Sequence, residues 1–168
     1  MSNDESREHT FSVLVDNEAG VLHRVVGLFS GRGYNIESLT VSEVEEEKRL
    51  SKITIVTSGT PMTIEQIRAQ LDRLVQVHTV ANLTSDGPSV QREMALVKVV
   101  GSGEQRVESL RIADIFRAHV VDSTNSSFVF EVVGQTDKLD AFIELMKPIG
   151  LADVSRTGVV AIARGSET

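Results

Sequence analysis

One order of apolar patterns runs twice along this chain, and that repeat restricts the fold more than any other feature. In the first half, apolar spacing predicts a strand at about 10–16. A helix is expected at about 20–31, with Val21, Leu22, Val25, Val26 and Phe29 on one face. Strands at about 34–44 and 50–58 flank the acidic run EVEEEK, which reads as a solvated hairpin tip. TPMTIEQIRAQLDRLV is a second helix. Thr63 suits its N-cap with Gln66 three residues on, and Ile64, Ile67, Leu71, Leu74 and Val75 form the buried face. A strand at about 77–84 completes βαββαβ.

The same series follows SDGPSVQ, whose Asp-Gly-Pro cluster marks a linker. MALVKVVG is a strand and GEQRVESLRIADIFRA a helix. HVVDST and SFVFEVVG pair across the turn at Asn125 and Ser126, TDKLDAFIELMKP is a helix, and LADVSRTGVVAIAR supplies the last strand or strands. The expected division is residues 9–84, a linker at 85–91, and 92–165. The fold class is α+β: two tandem ferredoxin-like units, each an antiparallel four-stranded sheet with two helices on one face. That layout leaves one face of each sheet without helices. FSVLV, ITIVT and FVFEVV alternate only weakly, so both faces are expected to be partly buried and the chain to self-associate.

Composition narrows the function. The 168 residues carry a net charge of −7, no Cys, no Trp, one Tyr and six Phe. A nucleic-acid surface needs clustered Lys and Arg, and a single-strand platform needs stacking aromatics; neither is present. The missing Cys removes disulfides, thiolate metal sites and Cys nucleophiles. MSNDESREHT lacks the apolar core of a signal peptide, and no apolar run is long enough to span a membrane, so the expected location is cytoplasmic. Residues 1–8 and the tail RGSET are expected to be loosely ordered.

Catalytic and metal motifs do not emerge. His9, His23, His78 and His119 stand at no ligand spacing, and no Ser lies in G-x-S-x-G. The sequence has no Walker loop and no G-x-G-x-x-G, and the acidic run 43–47 reads as a solvated face. The glycine-rich turn Gly101 to Arg106 is a weak signal, since tight turns use Gly whether or not anything binds.

What remains is VDNEAGVLHRVVGLFSGRGYNIES, Val15 to Ser38. The first N–H groups of a helix lack intrahelical acceptors and carry partial positive charge, so they can take a carboxylate. Gly20 lets a ligand approach the backbone, and Asn17 offers both donors and an acceptor. Asn35 opens the next strand. The ends of these two strands are expected on adjacent central strands but at opposite ends, so one chain does not bring Asn17 and Asn35 together. Two readings stand: turn geometry alone, or a pocket shared with a second chain.

At these residues the chain resembles the regulatory, small-subunit family of acetohydroxyacid (acetolactate) synthase. SVLVDNEAGVLHRVVGLFSGRGYNIESLTV, QREMALVKV and DKLDAFIELMKPIGLADVSRTGVVAIARG carry the likeness, which spans about residues 9–165. LFSGRGYNIESL with a RE-x-ALVKV start to the second half goes beyond a generic ACT domain, a ligand-binding ferredoxin-like module.

The resemblance implies an N-terminal ACT domain and a C-terminal ACT-like one. It implies a subunit that is not itself the catalyst and holds no cofactor or metal. Its partner would be a catalytic large subunit that uses thiamine diphosphate, Mg and FAD to condense two pyruvates, or pyruvate with 2-oxobutyrate. The subunit would raise that activity and confer feedback inhibition by valine, with leucine or isoleucine as alternatives. In the family the effector lies between ACT domains of a homodimer. On this sequence that means Asn17, Gly20, Val21 and Leu22 of one chain, with Asn35 and Ile36 of its neighbour.

His23, Ala19 and Asp16 depart from the family's commonest residues, and His23 is a candidate for tuning the site. The turn at Gly101–Glu104 lacks the Asn-x-x-Gly pattern, so no equivalent site is expected there. The competing readings are a stand-alone tandem-ACT amino-acid sensor acting on another enzyme or on transcription, and a small enzyme on the same scaffold.

Overall fold

A computed structural model describes residues 5–166. These form two compact units. One runs to Val90 and takes back the segment from Val159; the other is Gln91–Gly158.

The first unit contains β1 (Arg7–Asp16), α1 (Val21–Gly31), β2 (Ser38–Glu45), β3 (Leu50–Gly59), α2 (Pro61–Asp72) and β4 (Val77–Asn82). Its sheet order is β2-β3-β1-β4, with every neighbouring pair antiparallel. Odd-numbered side chains of β1 (Phe11, Val13, Val15) meet Ile53 and Ile55 of β3 beneath the two helices. Val21, Val25 and Phe29 of α1 and Ile64, Ile67 and Leu71 of α2 close this core. Each pair is spaced at three or four residues, the period that puts side chains on one helical face.

The opposite face of this sheet is largely polar. Thr10 and Thr54 are buried there with Val56. The returning segment meets it: the Val159 N–H donates to Ser38 Oγ (2.8 Å), and Thr40 Oγ1 donates to the Val159 carbonyl (3.2 Å). A piece of the chain's own C-terminal end therefore covers part of the face that sequence reading left open. The segment carries a short strand, β9 (Val160–Ala163); the next strand along the chain from β4, β5 (Ser89–Val100), begins at the boundary of the two units.

The second unit continues from β5 through α3 (Glu104–Ile115), β6 (His119–Ser123), β7 (Ser127–Gly134), α4 (Thr136–Met146), a 3₁₀ turn (Lys147–Ile149) and β8 (Leu151–Arg156). Its order, β6-β7-β5-β8, is that of the first sheet. Ala95, Val97 and Val99 pack with Phe128, Phe130 and Val132 under Ile112, Leu139, Phe142 and Met146. Phe142 meets Phe130 and Phe116 edge-on, at 6.1 and 5.4 Å between ring centres. The repeat and its two ferredoxin-like units are present as expected.

Several local expectations need correction. The N-cap of α2 is Thr60, not Thr63: Thr60 is extended (φ −67°, ψ 161°), Pro61 follows in the first helical turn, and Thr60 Oγ1 accepts from the Thr63 N–H at 3.3 Å. Val75 lies beyond that helix and is 91 % exposed. β2 starts at Ser38, so Asn35 and Ile36 precede the strand instead of opening it. β1 and β2 are not adjacent, because β3 lies between them. Arg7 and Glu8, expected to be loose, belong to β1, whereas residues 1–4 and 167–168 of the expected loose ends lie outside the described residues.

Candidate functional site

The loop from β1 to α1 is held at both sides by the backbone. The Asp16 N–H donates to the Gln76 carbonyl (2.9 Å) and the Asn17 N–H to the Arg49 carbonyl (2.7 Å). Asp16 also contacts His78 Nε2 at 2.6 Å. Asn17, Glu18 and Ala19 are exposed. Gly20 takes a left-handed conformation (φ 87°, ψ −9°), which a residue with a Cβ adopts at a cost of about 1–2 kcal/mol. A Cβ built at Gly20 would meet no heavy atom within 4 Å, so the glycine answers to backbone angle and leaves open space above it.

The start of α1 is bare. Among the described residues no side chain caps it, and its first turn holds no acidic residue. The Val21 N–H reaches the Glu18 carbonyl at a long 3.4 Å, and the Arg24 N–H bonds the Gly20 carbonyl at 3.0 Å. Among the described residues the Leu22 and His23 N–H groups have no acceptor. Val21 turns into the core at 5 % exposure, Leu22 is 42 % exposed, and His23 is exposed. Gly20, Leu22 and His23 thus lie at unpaired donors at the positive end of a helix dipole, with one branched apolar side chain facing solvent and Asn17 exposed in the loop before them.

Asn35 and Ile36 lie elsewhere. Thr57 Oγ1 donates to the Asn35 carbonyl at 2.5 Å, and the Glu37 N–H bonds the Val56 carbonyl at 2.8 Å. Ile36 is half-buried against the first core and Asn35 is exposed. Beside them the Ser58 hydroxyl, 2.6 Å from Glu37 Oε1, holds the Glu37 carboxyl below its ordinary range, with Glu8 and Asn35 adding to the effect. Asp16 is opposite Leu50 and Ser38 opposite Val56, so six residues of β3 separate the two groups, roughly 20 Å at the usual strand rise. The sequence-predicted residues therefore form two groups at opposite ends of one sheet.

The matching turn in the second unit differs. Gly103 precedes α3 with φ 62° and ψ −130°, and Glu104 puts a carboxylate in the first helical turn. That charge already complements the dipole and opposes a second anion. Among the described residues no group of three or more His, Cys, Asp or Glu is placed to hold a metal ion, and no helix is long and apolar enough to cross a membrane.

A charged cluster in the second unit escaped sequence reading. Glu93 is only 6 % exposed and receives both Arg156 Nε (2.7 Å) and Nη2 (2.9 Å). Arg156 Nη1 reaches Asp140 at 2.6 Å, and Thr136 Oγ1 donates to Glu93 at 3.2 Å. These carboxylates, Glu93 first, raise the Arg156 pKa further above its ordinary value. The available signal was a Glu on the inward row that continues as Ala95, Val97 and Val99.

Two ferredoxin-like units in tandem, one with an open and uncapped helix start beside Asn17 and Gly20, define a protein of the tandem ACT type. Residues 11–79 match the family described as AHAS small subunit-like ACT domain, and residues 92–165 that described as small subunit of acetolactate synthase. A probable acetolactate synthase small subunit of Archaeoglobus fulgidus is 45 % identical over 160 residues, 95 % of this chain and 99 % of the relative. The isozyme 3 small subunit of Escherichia coli is 45 % identical over 157 residues, 93 % of this chain and 95 % of the relative. The crystal structure of the small subunit from Thermotoga maritima superposes with a TM-score of 0.84 at 38 % identity, covering 96 % of this chain and 99 % of the other. The chain belongs to the acetolactate synthase small-subunit family.

Proposed function

We propose that this chain is the non-catalytic regulatory subunit of an acetolactate synthase, and that a branched-chain amino acid, valine by default, binds between two copies of its first unit. Thiamine diphosphate, Mg and FAD are assigned to the catalytic large subunit. One observation carries the reading: the bare start of α1 and the Asn35–Ile36 segment stand at opposite ends of one sheet. β2 is an edge strand with Val41 and Val44 about half exposed. Two copies joined antiparallel along this edge reverse each other, so each α1 start comes beside the neighbour's Asn35 and Ile36.

In that arrangement the Leu22 and His23 N–H groups hold the ligand carboxylate, and Leu22 and Ile36 contact its aliphatic side chain. Asn17 and the neighbour's Asn35 supply polar contacts to the remaining atoms. Ligand then stabilises one dimer arrangement, and activity falls if the large subunit prefers the other. The shift is bounded by the ligand's differential affinity for the two. Calorimetry of the full chain with valine, leucine and isoleucine tests binding, and reconstitution with the large subunit tests activation and feedback. Failure of all three ligands to bind would remove the effector reading. Failure to recover a thiamine-diphosphate enzyme from extract with the full chain would remove the partner.

A further inference from the structure

The inward row of β1 does not end with its apolar residues. Phe11, Val13 and Val15 lie under the helices, and two steps further out on the same face come His9 and Arg7. Here Arg7 is opposite Gly59 of β3, where α2 packs so closely that a Cβ would stand 3.0 Å from Thr63. Beside them lies a cavity of about 440 Å³ at the end of the core away from the α1 start. It is lined by Arg7, His9, Ile64, Glu65, Arg68 and Asn82 among others, and its size suits a small metabolite.

Its polar groups are held in place. Asn82 is 3 % exposed, and its Oδ1 accepts the N–H groups of Thr84 (3.1 Å) and Ser85 (3.3 Å). That fixes the amide, so Nδ2 donates to His9 Nδ1 at 3.0 Å. An accepting Nδ1 puts the imidazole proton on Nε2, which has no partner among the described residues. Arg68 is clamped by two bonds to Asp86, whose Oδ2 also takes the Asn82 N–H. Among the described residues Arg7 has only a 3.7 Å pairing with exposed Glu5, and Glu65 makes no hydrogen bond or ion pair.

We propose that this cavity is a second ligand site, built for a zwitterion of amino-acid size. The lining offers Arg7 and the His9 Nε2–H to a carboxylate and Glu65 to an ammonium, with Ile64 as an apolar wall. A dianion such as phosphate would face Glu5 and Glu65, and an apolar ligand would leave Arg7 and His9 unmet. The cavity shares no lining residue with the site proposed above, and the α1 start lies at the other end of the sheet.

Nuclear magnetic resonance on the full chain tests it, following the His9 imidazole and the Glu65 amide. The probes are the twenty standard L-amino acids singly, with inorganic phosphate and acetate as further arms. At least one amino acid should shift both signals saturably at millimolar concentration, while phosphate and acetate should not. Arg7→Ala and Glu65→Gln, both at exposed positions, should each weaken that binding at least about tenfold. The proposal is overturned if no amino acid moves the signals, if phosphate or acetate saturates them, or if either variant binds as tightly as the parent chain.

Discussion

Replacing Gly20 with Asp places a carboxylate at the N-cap of α1, beside the unpaired N–H groups of Leu22 and His23. A Cβ at this position meets nothing within 4 Å, so the fold has room for it. The left-handed angle of 87° costs about 1 kcal/mol, and Asp tolerates it better than most residues. A capping Asp returns a similar amount, about 1 kcal/mol, so stability should be nearly unchanged and the melting temperature should move by only a few degrees. Ligand binding should suffer far more. Two carboxylates about 4 Å apart repel by about 4 kcal/mol at an effective dielectric constant near 20, close to a thousandfold in affinity. Gly20→Asn keeps the cap without the charge and should lose about five- to tenfold through competition for the same N–H groups. Gly20→Ala keeps those groups free and should lose least. Calorimetry with valine should give the order Ala, Asn, Asp, and the Asp variant in complex with the large subunit should stay active while ignoring valine. Valine binding by Gly20→Asp within tenfold of the parent chain, or equal losses for Asn and Asp, would refute the assignment of the carboxylate to this helix start.

Glu93→Ala should leave the Arg156 guanidinium with Asp140 alone and destabilise the second unit by about 2–4 kcal/mol; adding Arg156→Met should restore part of that loss, both measured by urea unfolding. Gly150→Ala should prevent the second unit from folding natively, since φ is 110° and a Cβ would stand 2.0 Å from the Val100 carbonyl oxygen; circular dichroism and proteolysis report this, and a native-like melt would contradict it. Asp86 titrates below the ordinary carboxylate value because Arg68 bonds its ionised form. Its stabilising effect is therefore complete above the unfolded pKa, near 4, and is lost as pH falls through the lower folded value. Melting temperatures from pH 7 to pH 3 should show a shallower acid decline in Asp86→Asn, and parallel curves would count against the ion pair.

The helices, the hairpin at the acidic run and both apolar cores were legible because they depend on periods of two and about 3.6 residues. The cap of α2 was legible too, in Thr60 followed by Pro61, but the capping-box spacing at Thr63 and Gln66 drew the reading three residues too far. Asn17 and Gly20 stood out as turn chemistry and do sit at a bare helix start. The place of Asn35 was harder to read, because its long-range partner, Thr57, comes from a β2–β3 register that local pattern does not specify. The Arg7–His9 cavity was hidden for a different reason: polar residues near a chain end read as solvated tail, and only their place on the inward row shows that they face the end of the core.

By itself the sequence determined the two βαββαβ series, most of the inward faces of α1 and α2, and the polar turn at Asn17 to Gly20, since each follows from residues within a few positions of one another. Only the tertiary structure decided that β3 separates β1 from β2, that Glu93 meets Arg156, and that Val159 returns to Ser38 and Thr40. Those contacts join residues far apart in the chain, where strand order, register and the burial of charge select among many pairings that the local pattern permits equally.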